Sequence, residues 1–89
     1  MTVFIQLKEI FRDALSLGDR ANDLTLSTQL LGGLPEFDSM AVLAVLNAVE
    51  EHFGITIGDD EVSAEVFQSL GTLTKFIEQK LLALHNPSN

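Results

Sequence analysis

The chain has no cysteine among its 89 residues. This absence excludes disulfides, thiolate zinc sites and a cysteine nucleophile. The two histidines, His52 and His85, cannot build a histidine metal site by themselves. The longest apolar run, residues 40–46, is far shorter than the about 20 residues of a membrane span. The N-terminus lacks the basic and apolar regions of a secretory signal, so we expect a soluble cytoplasmic protein.

Basic residues are missing from the middle of the chain. Outside residues 36–65 five acids balance five bases, so the net charge of −8 comes from residues 36–65. Such a surface repels nucleic acid and attracts proteins with basic docking patches, although acids also simply keep small domains soluble. Between residues 36 and 65 there is no lysine or arginine, and there are eight acids: Glu36, Asp38, Glu50, Glu51, Asp59, Asp60, Glu61 and Glu65.

The length and the apolar content of 46% suit one domain with one packed core. We expect a single domain over residues 1–89, with its core at about 3–84 and a flexible tail at 85–89. Helical spacing of apolar residues predicts long helices at 3–17, 39–53 and 70–84. A short helix is predicted to open at 59–61, where acids suit the helix dipole.

The caps of these helices can also be predicted. Gly18 and Gly54 stand where the first two long helices should end. Ser39 and Ser69 are the expected N-caps of the second and third. The predicted fold is therefore all-α, with three longer helices, one short helix and a long first loop.

The first loop, residues 18–38, combines helix-breaking residues with large apolar ones. We expect it to be pinned to the core, with a helical turn at 27–31. A loop of this length is unusual in a compact domain and indicates either that the segment contains a further element or that the loop has a function. The apolar residues that would pin it are Leu24, Leu26, Leu30, Leu31, Leu34 and Phe37.

Ser39 lies between this loop and the start of a helix, directly after Asp38. A phosphate ester here would meet unpaired backbone N–H groups and a favourable dipole. Asp38 could help to hold the divalent metal that a phosphoryl-transferring enzyme brings. A serine in this place is more commonly just an N-cap, so the pair alone is a weak motif.

Four features in order resemble the acyl carrier protein family. Residues 37–40, Phe-Asp-Ser-Met, resemble its D-S-L/M attachment motif, and 50–57 resemble the acidic end of its second helix with the extended piece that follows. Residues 59–61 and 69–73 resemble the starts of its short third helix and its last helix. The resemblance covers roughly residues 3–82.

The resemblance implies a four-helix bundle of acyl carrier protein type, which is a monomer without catalytic activity. The acidic charge and the short apolar runs predict no nucleic-acid partner and no membrane span. Ser39 would receive 4′-phosphopantetheine from coenzyme A through a phosphopantetheinyl transferase, which makes the chain a phosphoprotein. An acyl ligase or acyltransferase would load an acyl group as a thioester on the thiol of the arm, and the carrier would deliver it to a downstream synthase of lipid or secondary-metabolite biosynthesis. The partner-binding residues would be Met40, Ala41, Ala44, Asn47, Glu50 and Glu51.

The chain departs from the family pattern at Ala41 and Ala44, where fatty acid carriers usually have acids. Its docking face would be more apolar, which favours a specialised pathway over housekeeping fatty acid synthesis. Residues 34–37 before the motif resemble carriers that accompany exosortase and exopolysaccharide systems or small-acid ligase pathways.

Two other functions remain open for the same residues. An aminoacyl carrier of the D-alanyl type also fits the D-S-M motif, and a non-carrier helical interaction protein would use Ser39 only as a cap. A peptidyl carrier is disfavoured because the GG[HD]S arrangement is absent. A hydrolase is excluded because His52 lies 13 positions after Ser39, about 20 Å along a continuous helix, whereas a Ser-His pair needs about 3 Å. Residues 59–61 lack the spaced ligands of a calcium loop.

Overall fold

Three α-helices and two 3-10 helices make up the structure, a computed structural model that describes residues 2–85. The α-helices are α1 (Thr2–Ala14), α2 (Ser39–Phe53) and α3 (Leu70–His85). The 3-10 helices are Gly18–Asp23 and Asp59–Glu61. Over the described range, β-structure is limited to an isolated bridge between Gln29 and Ser69. The predicted all-α class is confirmed, with the short third helix reduced to one 3-10 turn.

The first helix ends earlier than the sequence pattern predicts. The predicted end at residue 17 is wrong, because α1 stops at Ala14 and Ser16 takes a left-handed conformation with φ 54°. The amide of Leu17 donates to the carbonyl of Arg12 at 3.0 Å, the bond that closes a Schellman cap. Leu15 and Leu17 remain buried, so their apolar spacing reflects core packing after the helix has ended.

The long first loop is pinned to the core, as predicted, but the helical turn expected at 27–31 is wrong. Leu24, Leu30 and Phe37 are buried, whereas Leu26 and Leu31 are exposed. Residues 26–31 instead pair through their backbones with residues 67–71, at the start of α3. These bonds are Leu30 N–H to Gln68 O, Leu31 N–H to Phe67 O, Leu70 N–H to Thr28 O and Gly71 N–H to Leu26 O, at 2.7–3.2 Å.

The second helix has the predicted bounds, but Ser39 is not its N-cap. Asp38 takes that role, because its Oδ1 accepts the amide of Ala41 at 2.9 Å. Gly54 ends the helix in a left-handed conformation with φ 67°, as expected. Ser39 is therefore the first residue inside α2 rather than the residue before it.

The third helix begins at the predicted cap. The Ser69 hydroxyl accepts the amide of Thr72 at 3.1 Å, and the Thr72 hydroxyl accepts the amide of Ser69 at 3.0 Å. This reciprocal pair resembles a capping box with threonine in the usual place of glutamate. Apart from His85, whose backbone ends α3, the predicted flexible tail at 85–89 lies outside the described residues.

One cluster of buried apolar side chains joins the helices to the loops. The first helix packs against α2, α3 and the 3-10 helix Gly18–Asp23. The ring of Phe37 stacks on Phe11 and lies against Phe67, with centroids 5.6 Å apart in each case. Phe37 therefore ties the end of the first loop to α1 and to the segment before α3. Of the helices described, none is long and apolar enough to cross a bilayer.

Candidate functional site

Ser39 stands exposed at the start of α2. Because Asp38 supplies the cap, the Ser39 hydroxyl has no hydrogen-bond partner within residues 2–85. The helix start also has few donors left for a ligand: the amides of Ala41 and Val42 bond to the side chain and the carbonyl of Asp38 at 2.9 Å. The amides of Ser39 and Met40 are the orphan donors of this first turn.

Asp38 is held from both sides. Its amide donates to the carbonyl of Glu36 at 3.1 Å, and its carboxylate faces the first turn of α2. The positive end of the helix dipole also stabilises a carboxylate in this position. The two residues of the motif thus have distinct surroundings: Asp38 is engaged in structure, and Ser39 presents an unused hydroxyl to solvent.

An ion pair braces the segment just before Asp38. The guanidinium of Arg20, in the 3-10 helix Gly18–Asp23, makes two hydrogen bonds to the carboxylate of Glu36, one of them 3.0 Å between Nη2 and Oε1. The hydrogen bond from Arg20 lowers the pKa of Glu36, and the pKa of Arg20 is raised for the same reason. Sequence analysis missed this pair, since no local pattern connects residues 16 positions apart.

The predicted partner-binding residues fall into two groups. Met40, Ala44, Asn47 and Glu51 are exposed, together with Leu43, which the prediction omitted. Met40 and Leu43 expose 77% and 60% of their surface. These five residues recur at helical spacing and form the exposed face of α2.

The other two predicted residues face elsewhere. Ala41 is only 9% exposed and belongs to the core. Because it is buried, it is not part of the exposed face of α2, and the predicted partner-binding set is corrected by its removal. Glu50 is half-buried, and its Oε2 accepts the amide of Ile57 at 2.7 Å. Its carboxylate therefore anchors the extended segment that follows α2.

The acidic middle of the chain is partly neutralised from outside it. Lys80 of α3 reaches Glu61, with 2.8 Å from Nζ to each carboxylate oxygen. This bond and the amide of Gly58 lower the pKa of Glu61. Arg20 does the same for Glu36. The side chain of Asp59 lies outside the described part of the molecule.

His52 is an exposed residue in the last turn of α2. Its Nε2 hydrogen-bonds the side chain of Gln6 on α1, and its ring meets Phe53 edge-on. Because α2 is continuous from Ser39 to Phe53, the Ser39–His52 dyad of a hydrolase cannot form.

Comparison with known proteins shows the family of this chain. Residues 6–77 match the family described as phosphopantetheine attachment site. The chain is also 31% identical over 83 residues to an acyl carrier protein of Helicobacter acinonychis (strain Sheeba), covering 93% of this chain and 100% of that protein. The chain belongs to the acyl carrier protein family. An NMR solution structure of a holo acyl carrier protein from Nitrosomonas europaea agrees, with 46% identity, a TM-score of 0.85, and coverage of 92% of this chain and 99% of that one.

As an acyl carrier protein, the chain is a carrier and not an enzyme, and its cofactor is a covalently attached 4′-phosphopantetheine. When attached, the group supplies a thiol that holds cargo as a thioester. The residues present fit such a group: an exposed hydroxyl without a partner, beside the free amides of a helix N-terminus, can be esterified with phosphate without breaking a bond of the fold.

Proposed function

We propose that Ser39 is the attachment point and that this carrier delivers an acyl group to the enzymes of a specialised biosynthetic pathway. The observation that carries the proposal is the exposed, unpartnered hydroxyl of Ser39 at the start of α2. In loading, Ser39 Oγ would form a bond to a phosphorus of coenzyme A, the pyrophosphate P–O bond would break with loss of adenosine 3′,5′-bisphosphate, and the serine proton would pass to a base of the transferase.

The environment of Ser39 supports this assignment. The free amides of Ser39 and Met40 and the helix dipole both favour a phosphate ester at this place. The cap formed by Asp38 keeps the helix start ordered without using the hydroxyl. The predicted role of Asp38 toward the divalent metal of the transferase also stays part of the proposal.

The exposed face of α2 supports a specialised pathway. Met40, Leu43, Ala44 and Asn47 follow the i, i+3, i+4, i+7 spacing with which helices enter grooves of their partners. The two large side chains nearest Ser39 are apolar, so a partner would offer an apolar pocket there. Only Glu51, three turns from Ser39, would meet a basic residue of the partner.

The partners of this face would be the phosphopantetheinyl transferase, then an acyl ligase or acyltransferase, then a synthase. An exosortase- or exopolysaccharide-associated pathway remains the prediction drawn from residues 34–37. A monomeric state and a cytoplasmic location remain predictions too. Within the described residues nothing favours an aminoacyl cargo over an acyl one.

The attachment site is tested by mass. The apo protein is incubated with coenzyme A, magnesium and a broad-specificity phosphopantetheinyl transferase, and its intact mass is measured. We expect one phosphopantetheine group on the wild type and on Ser63→Ala, a control at another exposed serine, and none on Ser39→Ala. Equal gain by Ser39→Ala, or no gain by the folded wild type with several transferases, would refute the assignment.

A further inference from the structure

We infer that Arg20 and Glu36 form a positioning pair that holds the segment leading into Ser39 in the arrangement that a phosphopantetheinyl transferase accepts. The inference rests on the proposed role of Ser39. Neither side chain belongs to the attachment motif, and neither is part of the exposed face of α2. Both residues would act through the backbone between them and the serine.

The geometry of the pair restricts orientation as well as distance. Two parallel N–H···O bonds from a planar guanidinium to a carboxylate fix the relative plane of both groups, which one ammonium–carboxylate contact does not. Glu36 lies three residues before Ser39, and Arg20 sits in the 3-10 helix Gly18–Asp23. The pair therefore connects the two ends of the first loop.

A second anchor lies next to the first. Phe37 is buried between Phe11 and Phe67, so it fixes the depth of the segment against the core. Glu36 holds the polar side of the same segment through Arg20. Backbone bonds complete the turn between these anchors: Phe37 N–H to Leu34 O at 3.0 Å and Asp38 N–H to Glu36 O at 3.1 Å.

The pair has a local consequence and little global one. Exposed ion pairs contribute little to the stability of a domain, and the cap and the core beneath it are made by Asp38 and Phe37. Without the pair, the fold should persist while residues 34–38 sample more arrangements. If only a fraction of molecules is competent, the apparent affinity for the transferase falls by that fraction.

The effect should therefore appear in KM and not in kcat. We expect Arg20→Gln and Glu36→Gln each to raise the KM for the apo carrier about 3- to 10-fold, with kcat within about twofold, as a fall in the competent fraction requires. The charge-swapped double variant Arg20→Glu/Glu36→Arg should restore most of the loss. The matched control is Glu61→Gln, which breaks the exposed ion pair with Lys80 and should leave KM unchanged.

A second measurement does not depend on the transferase. Hydrogen exchange of the Phe37 and Asp38 amides, both bonded in the wild type, should accelerate in Glu36→Gln and not in Glu61→Gln. Unchanged exchange together with unchanged KM overturns the positioning pair while leaving the attachment site intact. Raised KM without rescue by the swap would mean that the transferase reads one of the two charges directly, which also overturns it. Failure of the wild type to load refutes the proposed function instead.

Discussion

The start of α2 assigns different tasks to two neighbouring residues. Asp38 accepts the amides of Ala41 and Val42 in the first turn of the helix, and Ser39 presents its hydroxyl outward. Had Ser39 been the cap, its oxygen would accept an amide, and esterification would disturb the helix that partners are to recognise. The one-residue offset between the cap and the proposed attachment site would keep folding and modification independent.

The cap and the proposed metal role of Asp38 can be separated by substitution. Asp38→Ala should lower the free energy of unfolding by about 0.5–2 kcal/mol, because the amide of Ala41 loses its acceptor. Asp38→Asn should retain that stability, since asparagine caps as well as aspartate. Urea unfolding gives both values.

The asparagine variant then tests the carboxylate itself. It should load phosphopantetheine more slowly despite normal stability, because its amide is a poorer ligand for magnesium. Normal loading by Asp38→Asn would contradict the metal role, and a stable Asp38→Ala would contradict the cap.

The carboxyl of Glu36 provides a pH-dependent readout. Its pKa is lowered mainly by the hydrogen bond from Arg20, so the contribution of the pair is present above the unfolded-state pKa and disappears as pH falls through the lower folded one. In an NMR titration, Arg20→Gln should move the midpoint of Glu36 upward. The midpoint of Glu61, whose partner is Lys80, should not move. An unchanged Glu36 midpoint would show that the pair does not form in solution.

At the scale of elements, α2 has one face in the core and another in solvent. Ala41, Val45 and Val49 are buried, and the exposed face carries large apolar groups near Ser39 and an acid near its end. This gradient distinguishes the helix from the acid-rich docking helix expected of a fatty acid carrier. Since the apolar groups are exposed, they contribute little to stability, and partner recognition is the role proposed for them.

The apolar face predicts a change of partner preference on adding charge. Ala44→Glu should accelerate acyl transfer to the carrier by a housekeeping fatty acid synthase acyltransferase, because fatty acid carriers usually have an acid at this position. The substitution should alter the free energy of unfolding by less than about 0.5 kcal/mol. Ser63→Glu adds the same charge away from α2 and should have no effect on transfer. The specialised role would be contradicted if the wild type already received acyl groups from this acyltransferase at the rate of a housekeeping carrier.

At the scale of the whole molecule, one aromatic ring connects the segment before Ser39, residues 34–38, with the core. Phe37 contacts Phe11 of α1 and Phe67 before α3. Phe37→Ala should lower the free energy of unfolding by about 3–5 kcal/mol, which is a large share of the stability of a small domain. Phe37→Leu should cost less, because more of the volume is filled.

The experiment is urea unfolding of both variants beside Leu26→Ser, a control at an exposed loop residue. The control should unfold near the wild-type midpoint. If Phe37→Ala were as stable as Leu26→Ser, the ring of Phe37 would not anchor the segment before Ser39 to the core.

Much of this molecule could be predicted locally. The bounds of α2, the cap at Ser69 and the Asp-Ser-Met motif at residues 38–40 depend on residues within a few positions of one another, where periodicity and capping chemistry act. The family resemblance also follows from short motifs in order along the chain. The spacing rule that excluded a Ser39–His52 pair is likewise a property of one continuous helix.

Only the tertiary structure decided the features that depend on distant contacts. Residues 26–31 extend along 67–71 because the backbone groups there bond each other, which local propensity cannot foresee. The burial of Ala41 beside the exposure of Ala44 depends on where the core lies, and the bond from Arg20 to Glu36 depends on how the loop folds back. The sequence by itself determined the bounds of α2, the start of α3 and the position of the serine proposed as the attachment site; packing between segments far apart in the chain decided how that serine is held and which surface surrounds it.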